Sequence, residues 1–303
     1  MRISIDRRRW ATIAITLGLA FASGYVMQNF LVVRGPESSS DDIPASSAIQ
    51  VPSPESSIPS LSTPPILAGR TRETRFPSEK VVCRPRLFVN PAPAATIRVD
   101  LYAPCQPGVP VTLTQDGVAV LLATDQNGRL HLRMPALSTA PRIKLDLDGH
   151  PMMAALEMPE AAGYRHVALL WSGQQALRIN AYEFGAGKSE LGHVWTGSPK
   201  SPSRALRGAG GFLMQLGDGD GAMAEIYSFP VDRPGTSGVV RLDVEAEVTD
   251  ANCGREIEAE ALQPGVSDSF VRTKIAMVMP DCGRTGEILR LQNLLRDMRL
   301  AER

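Results

Sequence analysis

The stretch VRLDVEAEV, residues 240–248, decides the fold class. Val240, Leu242, Val244, Ala246 and Val248 alternate with Arg241, Asp243, Glu245 and Glu247. Successive side chains of a strand point to opposite faces, so the stretch predicts a half-buried β-strand with one apolar and one acidic face. A second stretch repeats the pattern, with Ile257, Ala259 and Ala261 alternating with Glu256, Glu258 and Glu260. Neighbouring strands in a meander would gather Asp243, Glu245, Glu247, Glu256, Glu258 and Glu260 on one interaction face, where like charges repel. The expected relief is Arg272 and Lys274 on the next strand, pairing across to Glu258 or Glu260. The alternatives are a basic partner protein or a divalent cation. Asp218 and Asp220 of Asp218-Gly219-Asp220-Gly221 are the candidate cation ligands, although a glycine-rich turn explains that tetrad more simply.

The same periodicity extends outward in both directions. Arg86 to Val89 and Thr96 to Tyr102 read as a hairpin turning at Asn90-Pro91-Ala92-Pro93. Val109 to Thr114 and Val118 to Ala123 flank the hairpin signal Asp116-Gly117, and a second turn signal follows at Asp125-Gln126-Asn127-Gly128. Leu130 and Leu132, then Ile143, Leu145 and Leu147, alternate with polar residues. Further strands are expected at His166–Trp171, Ala176–Phe184, Phe212–Leu216, Ala224–Phe229 and Phe270–Met277. With 24 Pro and 26 Gly but only 5% aromatic residues, the composition suits many short strands joined by turns. The expected architecture is mainly β: two β-sandwich-like units over residues 81–158 and 159–282. Over 283–303 the period changes. Ile288, Leu291, Leu294, Leu295 and Met298 recur at helical spacing and predict a C-terminal amphipathic helix.

The N-terminus is of another kind. Residues 1–9 form a basic segment, and an apolar run over 10–33, 24 residues long, would span roughly 36 Å as a helix, enough for a hydrocarbon core of about 30 Å. Arg2, Arg7, Arg8 and Arg9 precede it, while Glu37, Asp41 and Asp42 follow, so the positive-inside rule puts the N-terminus in the cytoplasm and the body in the periplasm. Cleavage at Ala20-Phe21-Ala22 is the rival, but the apolar run continues past that site. Ala14, Gly18 and Ala22 offer a small-residue face for a homodimer in the membrane. Residues 34–80, rich in Ser and Pro, read as a disordered linker reaching roughly 40 Å as a coil and roughly 140 Å if polyproline-like. Its basic end, Arg70 to Arg86, reads as a solvated charged stretch, with contact to anionic head groups as the alternative.

Cys83, Cys105, Cys253 and Cys282 all lie beyond the apolar run, and four cysteines in an exported chain read as two disulfides. Three pairings exist. The strand pattern selects Cys83–Cys105 and Cys253–Cys282, because each pair brackets one expected hairpin at its open end. No C-x-x-C spacing supports zinc.

Lys plus Arg and Asp plus Glu both number 32, which gives no nucleic-acid footprint. The four histidines, His131, His150, His166 and His193, sit in no nucleophile, metal or phosphate motif, and no cofactor is expected. Glu183 and His193, in YEFGAGKSELGHVW, are the candidate acid and base if the loop between them brought them together. A packed loop anchored by Phe184 and Trp195 is the plainer explanation.

The phrase VTLTQDGVAVLLATDQNGRLHLRMPAL, within residues 109–136 and their margin, resembles the transthyretin-like and carboxypeptidase-regulatory-like β-sandwich domains, in which a T-D-x-x-G turn joins two central strands. Such domains are non-catalytic spacers or binding modules, which is what the resemblance implies. VVCRPRLFVNPAPAATIRVDLYAPCQPG, GHVW, NCGREI and MPDCG together resemble a family of single-pass bacterial envelope proteins, some labelled translocase. That likeness implies an envelope assembly or transport complex. The expected function is therefore a non-catalytic scaffold or adaptor anchored in the inner membrane and binding other envelope proteins. The alternative is an exported enzyme acting on a cell-wall or peptide substrate through the 183–195 loop.

Overall fold

A computed structural model describes residues 83–231, 237–265 and 269–300. The chain divides into units 1–73 and 74–303, and all described residues belong to the second. The expected basic segment, membrane span, small-residue face and linker, over residues 1–80, lie outside the described residues. Among the described residues no helix is long and apolar enough to cross a membrane.

The fold is mainly antiparallel β. Its first part contains β1 (Arg86–Ala92), β2 (Thr96–Tyr102), β3 (Pro110–Gln115), β4 (Val118–Ala123), β5 (Arg129–Pro135), β6 (Arg142–Leu147) and β7 (His150–Ala155). They form a three-stranded sheet, β1-β2-β5, and a four-stranded sheet, β4-β3-β6-β7. The alternation read from the sequence sets the faces: Ile97, Val99 and Leu101 of β2, Val111 and Leu113 of β3, and Ile143, Leu145 and Leu147 of β6 are buried. Asp116 and Gly117 turn the β3–β4 hairpin at φ 49° and 89°, the left-handed pair that an Asp-Gly turn supplies. The second turn also forms, with Asp125 Oδ1 accepting from the amides of Asn127 and Arg129, both at 2.8 Å. It joins the two sheets instead of two paired neighbours, since β4 pairs with β3 and β5 with β2. The β1–β2 turn lies later than expected, with Ala94 and Ala95 at positive φ after β1 runs on through Pro91.

Ten further strands follow: β8 (Tyr164–Ser172), β9 (Leu177–Glu183), β10 (His193–Val194), β11 (Phe212–Leu216), β12 (Ala222–Pro230), β13 (Gly238–Glu247), β14 (Glu256–Pro264), β15 (Phe270–Val278), β16 (Ile288–Leu291) and β17 (Met298–Leu300). A short helix, α1 (Pro202–Leu206), precedes β11. One sheet runs β11-β12-β8-β14-β15; the other runs β10-β9-β13-β16, with β17 also on β13. β8 and β12 are buried on both faces, which explains their nearly unbroken apolar sequence. One face of their sheet packs on the β9–β13 sheet through Val167, Leu169, Ile179, Val240 and Val244. The other contributes Ala168, Phe212, Ala224, Ile226 and Leu262 to the core of the first two sheets.

Both expected disulfides are present, Cys83–Cys105 and Cys253–Cys282, with Cα separations of 5.3 and 5.0 Å. Each closes the open end of its hairpin.

The expected terminal helix is not formed. Residues 288–291 and 298–300 are strands antiparallel to β13. β13 has β9 along one edge and would otherwise leave the other edge unpaired. Leu289 and Leu291 turn toward the core, while Arg290 falls directly opposite Glu245. Asn293, at φ 60°, breaks the segment between the two strands, and Asp297 Oδ1 accepts the Leu242 amide at 3.1 Å where neither strand reaches. The apolar spacing fits both periods; the open edge and the facing carboxylate select the strand.

The acidic meander is not formed either. β13 and β14 belong to different sheets, so the six carboxylates divide into two sets of three. On β14 the expected relief operates: Arg272 of β15 binds Glu260, and Lys274 lies directly across from that residue.

Candidate functional site

The outward face of the β9–β13 sheet carries a buried polar layer. β9 alternates, placing Leu177, Ile179 and Ala181 in the core and Arg178, Asn180 and Tyr182 outward. β13 does the same, with Arg241, Asp243, Glu245 and Glu247 outward. β10 pairs His193 with Tyr182, and Tyr182 also faces Arg241 on β13. The result is a stacked row. Arg241 sits 4.3 Å from the Tyr182 ring centre, Tyr182 and His193 stack at 4.5 Å, and Trp195 follows at 5.7 Å. Arg178 lies 5.7 Å from the Trp195 ring.

Glu245 is the electrostatic centre, with its side chain 3% exposed. Arg178 Nε lies 3.1 Å from its Oε2, while Arg290 and Lys188 approach Oε1 at 3.4 and 3.6 Å. Burial pushes its carboxyl up, but the hydrogen bonds from Arg178 and Arg290 and the charges of Lys188 and Arg178 outweigh burial and hold it below the usual value. Arg290 also lies 3.6 Å from Asp243, and Arg178 lies 3.4 Å from Glu247. Half of the expected acidic face is thus neutralised inside the fold.

His193 is held as one neutral tautomer. The Ser189 amide donates to Nδ1 at 3.0 Å, so the proton is on Nε2, which donates to Asn180 Oδ1 at 2.8 Å. Desolvation lowers its pKa, Glu245 opposes this, and Lys188, Lys200 and Arg290 add to it. Neither ring nitrogen is free to take a substrate proton. Asn180 Nδ2 and Tyr182 Oη, both buried, have no partner.

Glu183 points the other way. His193 faces Tyr182, and adjacent residues of a strand have opposite faces, so the expected Glu183–His193 pair is not assembled. Arg204 of α1 clamps the Glu183 carboxylate at 2.7 and 3.0 Å, and the Gly211 amide and Tyr227 hydroxyl each donate at 2.8 Å. A Cβ at Gly210 would lie 2.2 Å from Glu183 Oε2, and its φ of +123° excludes other residues independently. The pair therefore divides into a core ion pair on one face and a polar stack on the other.

A cleft of about 710 Å³ opens beside His193, bounded by Ser189, Leu191, Trp195, Ser198 and Lys200. Its wall is tied to a buried carboxylate. Glu225 of β12 reaches the neighbouring sheet, accepting the Ile179 amide at 2.6 Å and the Thr196 hydroxyl. Burial raises Glu225 to about 7, against the lowering effect of those two bonds and of Arg178.

Asp218 and Asp220 lie in the turn between β11 and β12, where Gly217 and Gly219 take positive φ. Gln174 donates to Asp220 and the Asp218 amide bonds Leu121 O. Among the described residues, no three His, Cys, Asp or Glu side chains are gathered to hold a metal. The alternation of Arg178, Asn180 and Tyr182 was available in the sequence as a second polar face. Glu225, a lone carboxylate in the apolar run of β12, was the other unused signal.

The chain matches no protein-family model, and no curated protein is significantly similar to it.

Proposed function

We propose that this protein is a non-catalytic adaptor of an envelope assembly or transport complex. In this reading residues 10–33 anchor it in the bacterial inner membrane, the N-terminus stays in the cytoplasm, and a β body stands in the periplasm on the 34–80 linker. Two disulfides in that body support an oxidising compartment. The observation that carries the non-catalytic reading is the state of the acid–base candidates. Both nitrogens of His193, beside a cleft open to a partner's side chain, and both oxygens of Glu183, on the opposite face of β9, are occupied by structural partners. Leu191, 88% exposed at the cleft rim, and Phe184, 49% exposed, supply apolar contact surface for another envelope protein.

The test is a photocrosslinking residue at Leu191 of the full chain in intact cells. The adaptor reading expects one defined envelope protein to be captured, with capture lost in Trp195→Ala. No adduct, together with hydrolysis of a cell-wall or peptide substrate that His193→Ala abolishes, would reverse the assignment to an exported enzyme.

A further inference from the structure

We propose that the outward face of the β1-β2-β5 sheet binds the anionic head groups of a membrane surface. The register places Arg86, Tyr102 and Arg129 in one cross-strand row, Phe88, Asp100 and His131 in the next, and Asn90, Arg98 and Arg133 in a third. All nine side chains share the face turned away from the core. Four are arginines, all exposed, and Asp100 is the one carboxylate among them.

That carboxylate is already engaged. Arg98 Nε lies 3.2 Å from one oxygen and His131 Nδ1 lies 2.7 Å from the other. Asp125, in the turn before β5, also feels the charges of Arg129 and His131, but among the described residues Arg86 and Arg133 make no ion pair, so the arginines of the face remain in excess. The aromatics are as unusual as the charge. Phe88 is 52% and Tyr102 38% exposed, and a cavity of about 310 Å³ lies between them, walled by Arg129 and His131. Arg129 sits 5.5 Å from the Tyr102 ring centre.

Guanidinium groups bind phosphate oxygens through a planar fork of donors. Exposed Phe and Tyr beside them fit the boundary between head groups and acyl chains. On a three-stranded face, neighbours lie about 4.8 Å apart across strands and about 6.8 Å apart along them, which spaces the guanidinium groups as a regular array. Choosing lipid over an acidic protein rests on the proposed anchor, because β1 is where the chain arrives from residues 10–33. The excess of arginine on the face is independent of that anchor.

The test is arginine footprinting with phenylglyoxal on the purified full chain, mixed with vesicles of phosphatidylcholine alone or with added phosphatidylglycerol. Reactivity at Arg86, Arg98, Arg129 and Arg133 is expected to fall by about threefold or more on the anionic vesicles and to recover at high salt. Arg255 and Arg299, exposed elsewhere, should not change. The surface variant R98Q/R133Q should lose the protection at Arg86 and Arg129 while melting as the parent does. Equal reactivity on both vesicles overturns the proposal. So does protection by polyglutamate or a single-stranded oligonucleotide but not by anionic vesicles, which would assign the face to a soluble polyanion. Carbonate extraction of the same samples reports the anchor separately: a chain that extracts yet keeps its footprint loses the anchor and retains the lipid face.

Discussion

The outward faces of the β1-β2-β5 sheet and the β9–β13 sheet are built from the same kinds of side chain, and they meet opposite fates. Each sets arginines, a histidine, a tyrosine and at least one acid on the alternate positions of neighbouring strands. On the β9–β13 sheet, Arg178, Arg241, Arg290 and Lys188 meet Asp243, Glu245 and Glu247, and Tyr182, His193 and Glu245 are buried to within 2%. On the β1-β2-β5 sheet, four arginines meet one aspartate, and the side chains of Arg98 and His131 stay 59% and 66% exposed. Composition does not separate a structural polar layer from a surface for recognition. Charge balance and cover do: on the near-neutral face Lys188 and Ser189 of the 184–192 loop reach Glu245 and His193, while the excess of arginine keeps the other face in solvent.

Removing the central acid of each face should have the most unequal consequences. Glu245→Ala leaves Arg178 and Arg290 partly unpaired in a desolvated layer and should cost about 3 kcal/mol, read by urea unfolding. Asp100→Ala, on the open face, should cost under about 1 kcal/mol. Equal costs would mean that burial does not distinguish the faces.

An effect of at most similar size is expected from Glu225, which supports the sealed side. Its pKa is raised from 4.5 to about 7, so between those values the native state keeps a proton that the unfolded chain has released. Stability should be full below about pH 4.5 and fall as pH rises through 7, by about 3 kcal/mol at most. Glu225→Gln should remove that fall, because the amide can accept from Ile179 and donate to Thr196. A pH profile identical in parent and variant would refute the buried-carboxylate account.

The smallest effect belongs to His193. Its pKa is depressed below 6.5, so the unfolded chain takes up a proton first as the solution is acidified, and stability is lost as pH falls below that value. Protonating Nδ1 would also set it against the Ser189 amide. His193→Gln should reduce the acid-side slope, measured by thermal melting across that range, and an unaltered slope would exclude His193 as its source.

Much of the β architecture was legible in the sequence because alternation is local. Phe212–Leu216 and Val118–Ala123 fall on the residues expected, and both hairpins bracketed by cysteines form, although the first turns at Ala94 and Ala95, later than the expected Asn90-Pro91-Ala92-Pro93. What escaped depends on partners distant in sequence. Ile288, Leu291, Leu295 and Met298 fit a helix until the open edge of β13 and the charge of Glu245 are in place. The acids of β13 and β14 were correctly assigned to alternating faces, but nothing local reveals that the strands enter different sheets. Glu183 and His193 suggested a pair because one loop joins them; the register that sets His193 against Tyr182 separates them. The open arginine face escaped for a similar reason, since Arg86, Arg98, Arg129 and Arg133 are gathered only by strand pairing.

The account rests on an exported body, and the thiols test that most directly. Cells would be quenched in acid, the protein denatured without reductant, and its four cysteines titrated with a maleimide before and after reduction. The account predicts no labelling before reduction and four labels after it. Four free thiols in the unreduced protein would contradict it, placing the body in a reducing compartment and removing the basis for a periplasmic adaptor.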